Sequence, residues 1–267
     1  LHKVRSNTGP KQTPSNHATR SSFDIVKVRI LETLTRFPPT CPEIRKQTLL
    51  RDGYRCVVSG AFDRRSLKLN ADLRARLQPQ SFSSGYSSSG LEVAHLFSQS
   101  AQDDPDYHAS ALTFLEMFGM RTVAEQLTKC SDCLENVITL DGGLHEMFGL
   151  FEFWLDKVPN QPYKYNIIAA EPEFVFSHVA TPHRQITLAF SSLLEPGEQE
   201  LMSLPNRDLM ALRAACAQVA NMSGAAAQRD RILQDEEEIQ VLASDGGHAE
   251  YLTSLLHLRT SAISLAA

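Results

Sequence analysis

Two histidines and an asparagine, His95, Asn136 and His145, follow one another along the chain in an order that could support hydrolysis. Histidine titrates near neutral pH, so His95 could accept a proton from a water molecule beside a phosphodiester. Asn136 could hold that imidazole, or the loop between two strands, in one orientation by hydrogen bonding. His145 could place a divalent metal against the phosphate, where the metal stabilises negative charge. The spacing alone also fits ordinary packed or surface histidines, since the chain contains 9 of them.

The residues around these three predict the elements that would position them. LEVAHLF, residues 91–97, reads as a strand that carries His95, and NVITL, residues 136–140, reads as a second strand that opens with Asn136. The sequence Asp-Gly-Gly at 141–143 breaks that strand and lets the chain reverse. A short helix over 144–150 would then bring His145 back onto the two strands. We expect the two imidazoles to lie on facing elements, close enough to share one phosphate.

The rest of the chain predicts helices at both ends and further strands near the middle. Residues 1–22 are polar and predict a disordered tail. A helix from Phe23 should stop at Pro38-Pro39, and Pro42 suits the first turn of a second helix that runs toward Gly53. The other predictions are a strand at 54–60, a charged helix at 63–78, a flexible loop at 81–90, a helix at 106–118, three strands in FEFWLDKV, YKYNIIA and QITLAF, and helices from Asn206 onward.

Three segments together resemble the fungal branch of the HNH nuclease family: RDGYRCVVSG at 51–60, LEVAHLFSQS at 91–100 and LENVITLDGGLHEMFGLFEFW at 134–154. The resemblance extends over about residues 24–245, including the helical tail. It implies that His95 is the general base, Asn136 the central asparagine and His145 the metal-binding histidine.

The resemblance also implies an α+β fold: a ββα-metal (HNH) core with N-terminal helices, a small additional β-sheet and a helical C-terminal extension. We expect the division to be a disordered tail at 1–22, an HNH nuclease-like domain at 23–155, a β-rich extension at 156–200 and a helical extension at 201–267.

Two positions depart from the pattern of the family. Many HNH nucleases have a metal-ligating Asp or His directly before the base, where this chain has Ala94, and many fungal relatives have Asp where it has Gly149. Glu92 lies two residues before Ala94 on the same strand face, and its longer side chain could reach the ion. The alternative for Glu92 is a structural ion pair or hydrogen bond, for which Arg55 is one candidate partner. The expected cofactor is a divalent metal ion, Mg²⁺ in the first place, with Mn²⁺ or Zn²⁺ as alternatives.

The charge of the chain is unevenly distributed. The net charge is −5, but the first 78 residues carry an excess of positive residues and the remainder an excess of negative ones. A basic surface favours contact with phosphates, for which Arg51, Arg55 and Arg64 are candidates. The alternative is that these are solvated helix faces that happen to be basic. The expected partner is nucleic acid, with DNA favoured over RNA. No membrane partner is expected, and the oligomeric state cannot be read from the sequence.

The five cysteines show no regular disulfide framework, and the N-terminal residues lack the apolar core of a signal peptide. Both features favour an intracellular protein, nuclear or cytoplasmic. Cys130 and Cys133 have the spacing of a zinc knuckle, which Cys56 and His108 could complete as a structural zinc site. The alternative is a set of reduced cysteines, with Cys56 buried.

Taken together, the sequence predicts a metal-dependent HNH endonuclease that hydrolyses phosphodiester bonds in nucleic acid. The missing ligands at Ala94 and Gly149 and the acidic overall balance favour an alternative from another class. That alternative is a catalytically degenerate HNH-fold module that binds nucleic acid or another protein. A structural zinc protein is a third possibility.

Overall fold

The computed structural model describes residues 22–34, 40–77, 88–97, 113, 115–117, 119–129, 132–177, 184–225, 228 and 231. Several expectations fall outside these ranges: residues 1–21 of the predicted tail, residues 81–87 of the loop at 81–90, most of the helix at 106–118, and the helices after residue 231. The described ranges include His95, Asn136 and His145 together with the elements that carry them.

Two helices form at the N-terminal end, as the sequence predicts. Helix α1 spans Ser22–Thr33 and helix α2 spans Cys41–Arg51. Pro42 stands in the first turn of α2, where its missing N–H costs no hydrogen bond. The backbone N–H of Thr40 donates to the carboxylate of Glu43 at 2.8 Å, which satisfies a donor that the helix itself cannot.

The strand predicted for YRCVVSG at 54–60 is wrong, because these residues form turns. Gly53 and Tyr54 both take positive φ values, 69° and 55°, so the chain reverses directly after α2. The N–H of Gly60 then donates to the carbonyl of Cys56 at 3.0 Å and closes a second turn. Cys56 and Val58 are nevertheless buried. The apolar residues that suggested a strand therefore belong to a loop that packs into the core.

The single charged helix predicted at 63–78 is two short helices, α3 at Arg64–Leu69 and α4 at Ala71–Leu77. Asn70 breaks them with an extended backbone, and its side chain accepts from the N–H of Leu73 at 2.9 Å. Strand β1, Phe62–Asp63, precedes α3 and pairs in parallel with β2, Ser88–Ser89.

The hairpin predicted around His95 forms, except that Asn136 lies in a turn before the second strand and does not open it. Strand β3, Leu91–His95, pairs antiparallel with β4, Val137–Asp141, so that Leu91 faces Asp141 and His95 faces Val137. Helix α5, Arg121–Lys129, and a short 3-10 turn at Leu134–Asn136 lie between them in the sequence. Helix α6, Gly142–Gly149, follows β4 and packs on both strands.

The three strands predicted after this unit are also confirmed. Strands β5, Phe153–Lys157, β6, Lys164–Ala169, and β7, Gln185–Thr187, form an antiparallel sheet in that order. Helices α7, Pro172–Ser177, and α8, Pro196–Gln199, are short. The long helix α9, Arg207–Met222, is capped by Asn206 and packs against β5.

One hydrophobic cluster joins these parts. It includes Phe23 from α1, Leu91 from β3, Leu144 from α6, Ile167 from β6 and Met210 from α9. Burial of apolar side chains from all these elements stabilises them as one folded unit. The fold is α+β, as expected, while the proposed domain boundaries stay a prediction. Among the described helices, none has the length and apolar character needed to cross a membrane.

Candidate active site

His95 is the last residue of β3, and the chain after it is held in place by Asn136. The side-chain amide of Asn136 donates to the carbonyl of Phe97 at 2.7 Å, and its oxygen accepts from the N–H of the same residue at 3.1 Å. The backbone carbonyl of Asn136 also accepts from Leu96 at 2.8 Å. Asn136 is fully buried. Of the two roles that the sequence left open for Asn136, these contacts show that it fixes the loop after the first strand.

The imidazole of His95 has a carboxylate partner that the sequence did not reveal. Nε2 of His95 lies 2.8 Å from Oδ1 of Asp132, and both side chains are 14% exposed. An ionised carboxylate only accepts hydrogen bonds, so Nε2 carries the proton and the lone pair of the neutral ring is on Nδ1. Asp132 stands between Cys130 and Cys133, and the C-x-x-C spacing of these cysteines predicts metal-binding thiols, not a role for the carboxylate between them. Its position just before the Asn136 turn was the signal that could have found it.

His145 faces β3, the strand that carries His95. Asp141 caps α6 by accepting from the N–H of Leu144 at 3.1 Å, and Ser59 donates to the other carboxylate oxygen of Asp141 at 2.6 Å. This cap fixes the first turn of the helix, where His145 stands. Nδ1 of His145 lies 2.6 Å from Oε2 of Glu92 on β3. Glu92 therefore makes the kind of structural hydrogen bond that the alternative described, and its partner is His145.

The two histidine–carboxylate pairs lie at different points along β3. Glu92 and His95 are three residues apart, so their Cα atoms are separated by roughly 10 Å along the strand. Side chains alternate along a strand, so Glu92 and Ala94 point to one face and His95 to the other. His95 is the last residue of β3, and 14% of its side chain is exposed. The sharing of one phosphate between the two imidazoles stays a prediction.

The residues that could hold a divalent metal ion are Glu92 and His145. The 2.6 Å contact between them is a hydrogen bond, so Nδ1 of His145 carries the proton and the lone pair available to an ion is on Nε2. The Glu92 side chain is 53% exposed, so an ion can reach it from solvent. Within the described residues, no group of three or more His, Cys, Asp or Glu side chains is arranged to hold a metal. A site of two protein ligands would leave the remaining positions to water and phosphate oxygens.

The structure gives Arg51 a different role from the predicted phosphate contact. Its side chain is 0% exposed, and Nη1 and Nη2 donate to the carbonyls of Leu134 and Val137 at 2.6 and 2.8 Å. Nε also pairs with the carboxylate of Asp52 at 2.7 Å. A guanidinium enclosed in this way cannot reach a phosphate at the surface. Arg51 instead holds the turn before β4 and the first residue of that strand.

Arg55 lies at the edge of the same region and is partly exposed. Its guanidinium lies 4.0 Å from the centroid of the Phe62 ring, and burial lowers its pKa. Arg64 is exposed on α3. A phosphate contact by either arginine stays a prediction.

The cysteines do not form a described metal cluster. Cys130 lies outside the described residues, as does His108, while Cys56 is buried and Cys133 is half-buried. Burial raises the pKa of the Cys56 thiol, and this opposes the thiolate that zinc requires. The structural zinc site therefore stays a prediction, with Cys56 its least favourable ligand.

The comparisons with known proteins point to the same part of the chain. Residues 56–156 match a family described as HNH endonuclease. Searches among curated proteins and among solved structures found no significant match. The matched segment contains His95, Asp132, Asn136 and His145, and it ends inside β5. The match therefore supports an HNH nuclease family for this chain, through a segment that is similar to an HNH endonuclease domain.

Proposed function

We propose that this protein is a metal-dependent endonuclease that hydrolyses phosphodiester bonds in nucleic acid, with DNA as the favoured substrate. The observation that carries the proposal is the packing of α6 on the pair of β3 and β4. His95 ends β3, Asn136 directly precedes β4, and His145 lies on α6. The family match over residues 56–156 supports it. The finer assignments, a ββα-metal core and the fungal branch of the family, are part of the same proposal.

In this mechanism, His95 is the general base. Asp132 accepts a hydrogen bond from the N–H of Nε2, so the lone pair on Nδ1 can take a proton from the attacking water. Asp132 also stabilises the imidazolium that forms when the proton is taken. Asn136 fixes the backbone directly after His95 and so limits the positions of the ring.

His145 and Glu92 would hold the divalent ion. When bound, that ion supplies positive charge against the phosphate in the transition state. The hydrogen bond from Nδ1 of His145 to Glu92 orients the imidazole, and its Nε2, before the ion arrives. Prearranged donors lose less freedom on binding, so the pair favours uptake of an ion at this point of the hairpin.

The nucleic-acid backbone would contact the basic surface of α3 and α4, which we define as Arg64, Arg65, Lys68 and Arg74. All four side chains are exposed. Asp63 caps α3 through the N–H of Ser66 and also accepts from the N–H of Leu91, the first residue of β3. The basic surface is thus fixed directly to the strand that carries His95.

Cleavage of a supercoiled plasmid tests the proposal. Wild-type protein should nick the plasmid with Mg²⁺ or Mn²⁺ and not in EDTA, and His95→Ala should abolish this activity. Glu146→Gln, an exposed change on α6, is the control and should cleave like the wild type. Cleavage that persists in His95→Ala, or that EDTA does not stop, would contradict the assignment of the base or of the metal.

A second candidate is a catalytically degenerate HNH-fold module that binds nucleic acid or protein. Ala94 favours it, because this position is buried on the face of β3 that α6 covers and offers no ligand. Retention of DNA without nicking in any metal would select this candidate over the enzyme.

A further inference from the structure

Arg213 lies on α9, outside residues 56–156, and its guanidinium reaches two segments of the candidate active site. Nη1 donates to the carbonyl of Leu96 at 3.1 Å, and Nη2 donates to the carbonyl of Phe148. Leu96 directly follows His95, and Phe148 stands three residues after His145 on α6. One side chain thus connects the end of the strand that carries the base to the helix that carries the metal histidine.

The surroundings of Arg213 are apolar. The residue is 5% exposed, and its guanidinium lies 4.1 Å from the ring centroid of Phe148 and 4.5 Å from that of Phe151. Burial lowers the pKa of Arg213 to about 10, so the side chain is still charged at neutral pH. Within the described part of the chain, no carboxylate forms an ion pair with it, and its Nε has no hydrogen-bond partner. A buried cation without a carboxylate is a costly way to stabilise a fold.

Helix α9 also holds the turn that comes after α6. Phe151 has a φ of 59°, in the left-handed region that a bulky side chain rarely adopts. The side-chain amide of Asn221 on α9 donates to the carbonyl of Phe151 at 2.9 Å. A strained residue persists only where its surroundings hold it, and here both Asn221 and the guanidinium of Arg213 do so.

We propose that Arg213 is a positioning residue, which sets the relation of His95 to His145 from a helix beyond the HNH-like segment. The flat guanidinium donates in two directions at once, whereas the ammonium of a lysine is a single point charge. The predicted effect on catalysis rests on the proposed nuclease function. The predicted effect on the chain after His95 and on the end of α6 rests only on the contacts of Arg213.

The test compares Arg213→Met, Arg213→Lys and the control Arg207→Met, an exposed arginine on the same helix. Hydrogen exchange is followed at the amides of Leu96 and Phe97, which bond to Asn136, and at the amides of Leu150 and Glu152 after α6. Amides of β5 and β6 report on global unfolding. Plasmid cleavage with Mg²⁺ or Mn²⁺ gives kcat and KM.

Arg213→Met should speed exchange at both segments by about tenfold or more and leave β5 and β6 as in the wild type. We expect kcat to fall by about 10- to 100-fold with KM nearly unchanged, because the substrate still binds while the base is misplaced. Arg213→Lys should give exchange rates and a kcat between those of Arg213→Met and the wild type. Arg207→Met should match the wild type in both.

Unchanged exchange at either segment would overturn the positioning role. So would an increase shared by β5 and β6, since Arg213 would then only stabilise the whole fold. Faster local exchange in a protein that cleaves nothing in any metal would support the positioning role and overturn the nuclease function alone.

Discussion

At the scale of single residues, the His95–Asp132 contact decides which ring nitrogen can accept a proton. Replacing the carboxylate with an amide, Asp132→Asn, allows the new NH₂ to donate to Nε2 and moves the ring proton to Nδ1. We expect the cleavage rate to fall by about 10²- to 10⁴-fold, the range that a positioned base contributes. Nitrogen NMR of His95 should show the change of tautomer in the free protein.

Asp208→Asn, an exposed change on α9, is the matched control and should leave both rate and tautomer unchanged. If Asp132→Asn cleaves normally with the proton still on Nε2, Asp132 is only a surface partner of the ring. The tautomer of His95 also distinguishes the proposed role of Asp132 from a loss of folding. Unfolding would lower the cleavage rate, but it would not move the ring proton from Nε2 to Nδ1.

The Glu92–His145 contact makes a separate prediction about metal binding. Glu92→Gln replaces an ionised oxygen by a neutral amide, and we expect Mn²⁺ to bind about 10- to 100-fold more weakly in calorimetry. Glu146→Gln removes a carboxylate from α6, the helix of His145, but not from the Glu92–His145 contact. This variant should bind Mn²⁺ like the wild type. Equal affinity in Glu92→Gln would show that this carboxylate is not part of the metal site.

At the scale of elements, Asn136 replaces backbone pairing where the strand pair ends. Asn136→Ala leaves both the N–H and the carbonyl of Phe97 without the side-chain partners they have in the structure. Because the position is buried, we expect a loss of about 1–3 kcal/mol in the free energy of unfolding, measured with urea. Asn166→Ala removes an exposed side-chain contact with Gln185 and should cost less than about 1 kcal/mol. A loss in Asn136→Ala no larger than in this control would contradict the role of Asn136 in fixing the loop.

The elements of the site could be predicted because their patterns are local. Short strand-like runs bounded by turn residues predicted β3 and β4, and the Asp-Gly-Gly turn predicted the start of α6 to within two residues. The turns at 54–60 could not be predicted, because the left-handed backbone of Tyr54 depends on how the loop packs. An apolar run is buried equally well as a strand or as a packed loop, and composition does not distinguish the two.

The contacts that join distant parts of the chain were beyond the sequence for a different reason. Arg51 looked like a surface arginine in a basic segment, yet it bonds to carbonyls more than 80 residues away. Asp132 and Arg213 likewise gain their roles only when the fold brings them to His95 and Leu96. Spacing in the sequence carries no sign of such partners, whereas it does carry the order of His95, Asn136 and His145.

At the scale of the whole molecule, the uneven charge should govern how nucleic acid binds. Each phosphate that a Lys or Arg neutralises releases counterions, so the logarithm of the affinity falls with the logarithm of salt concentration. In the His95→Ala background with EDTA, so that cleavage cannot interfere, we expect the double change Arg64→Ala and Lys68→Ala to weaken DNA binding. It should also reduce the salt slope by about 2, since each substitution removes one cation that pairs with a phosphate.

The substitution Lys157→Ala tests whether DNA binding depends on the basic surface of α3 and α4 or only on the net charge of the protein. Lys157 is exposed at the end of β5, on the sheet beyond the hairpin, and its removal changes the net charge by the same unit as one of the α3 changes. If the net charge alone steers nucleic acid, Lys157→Ala should lower the slope as much as Arg64→Ala does. If the phosphates lie along α3 and α4, only Arg64→Ala should lower it, because a lysine that never meets a phosphate releases no counterion. If none of these substitutions changes the salt slope of DNA binding, the nucleic-acid interface lies elsewhere on the molecule.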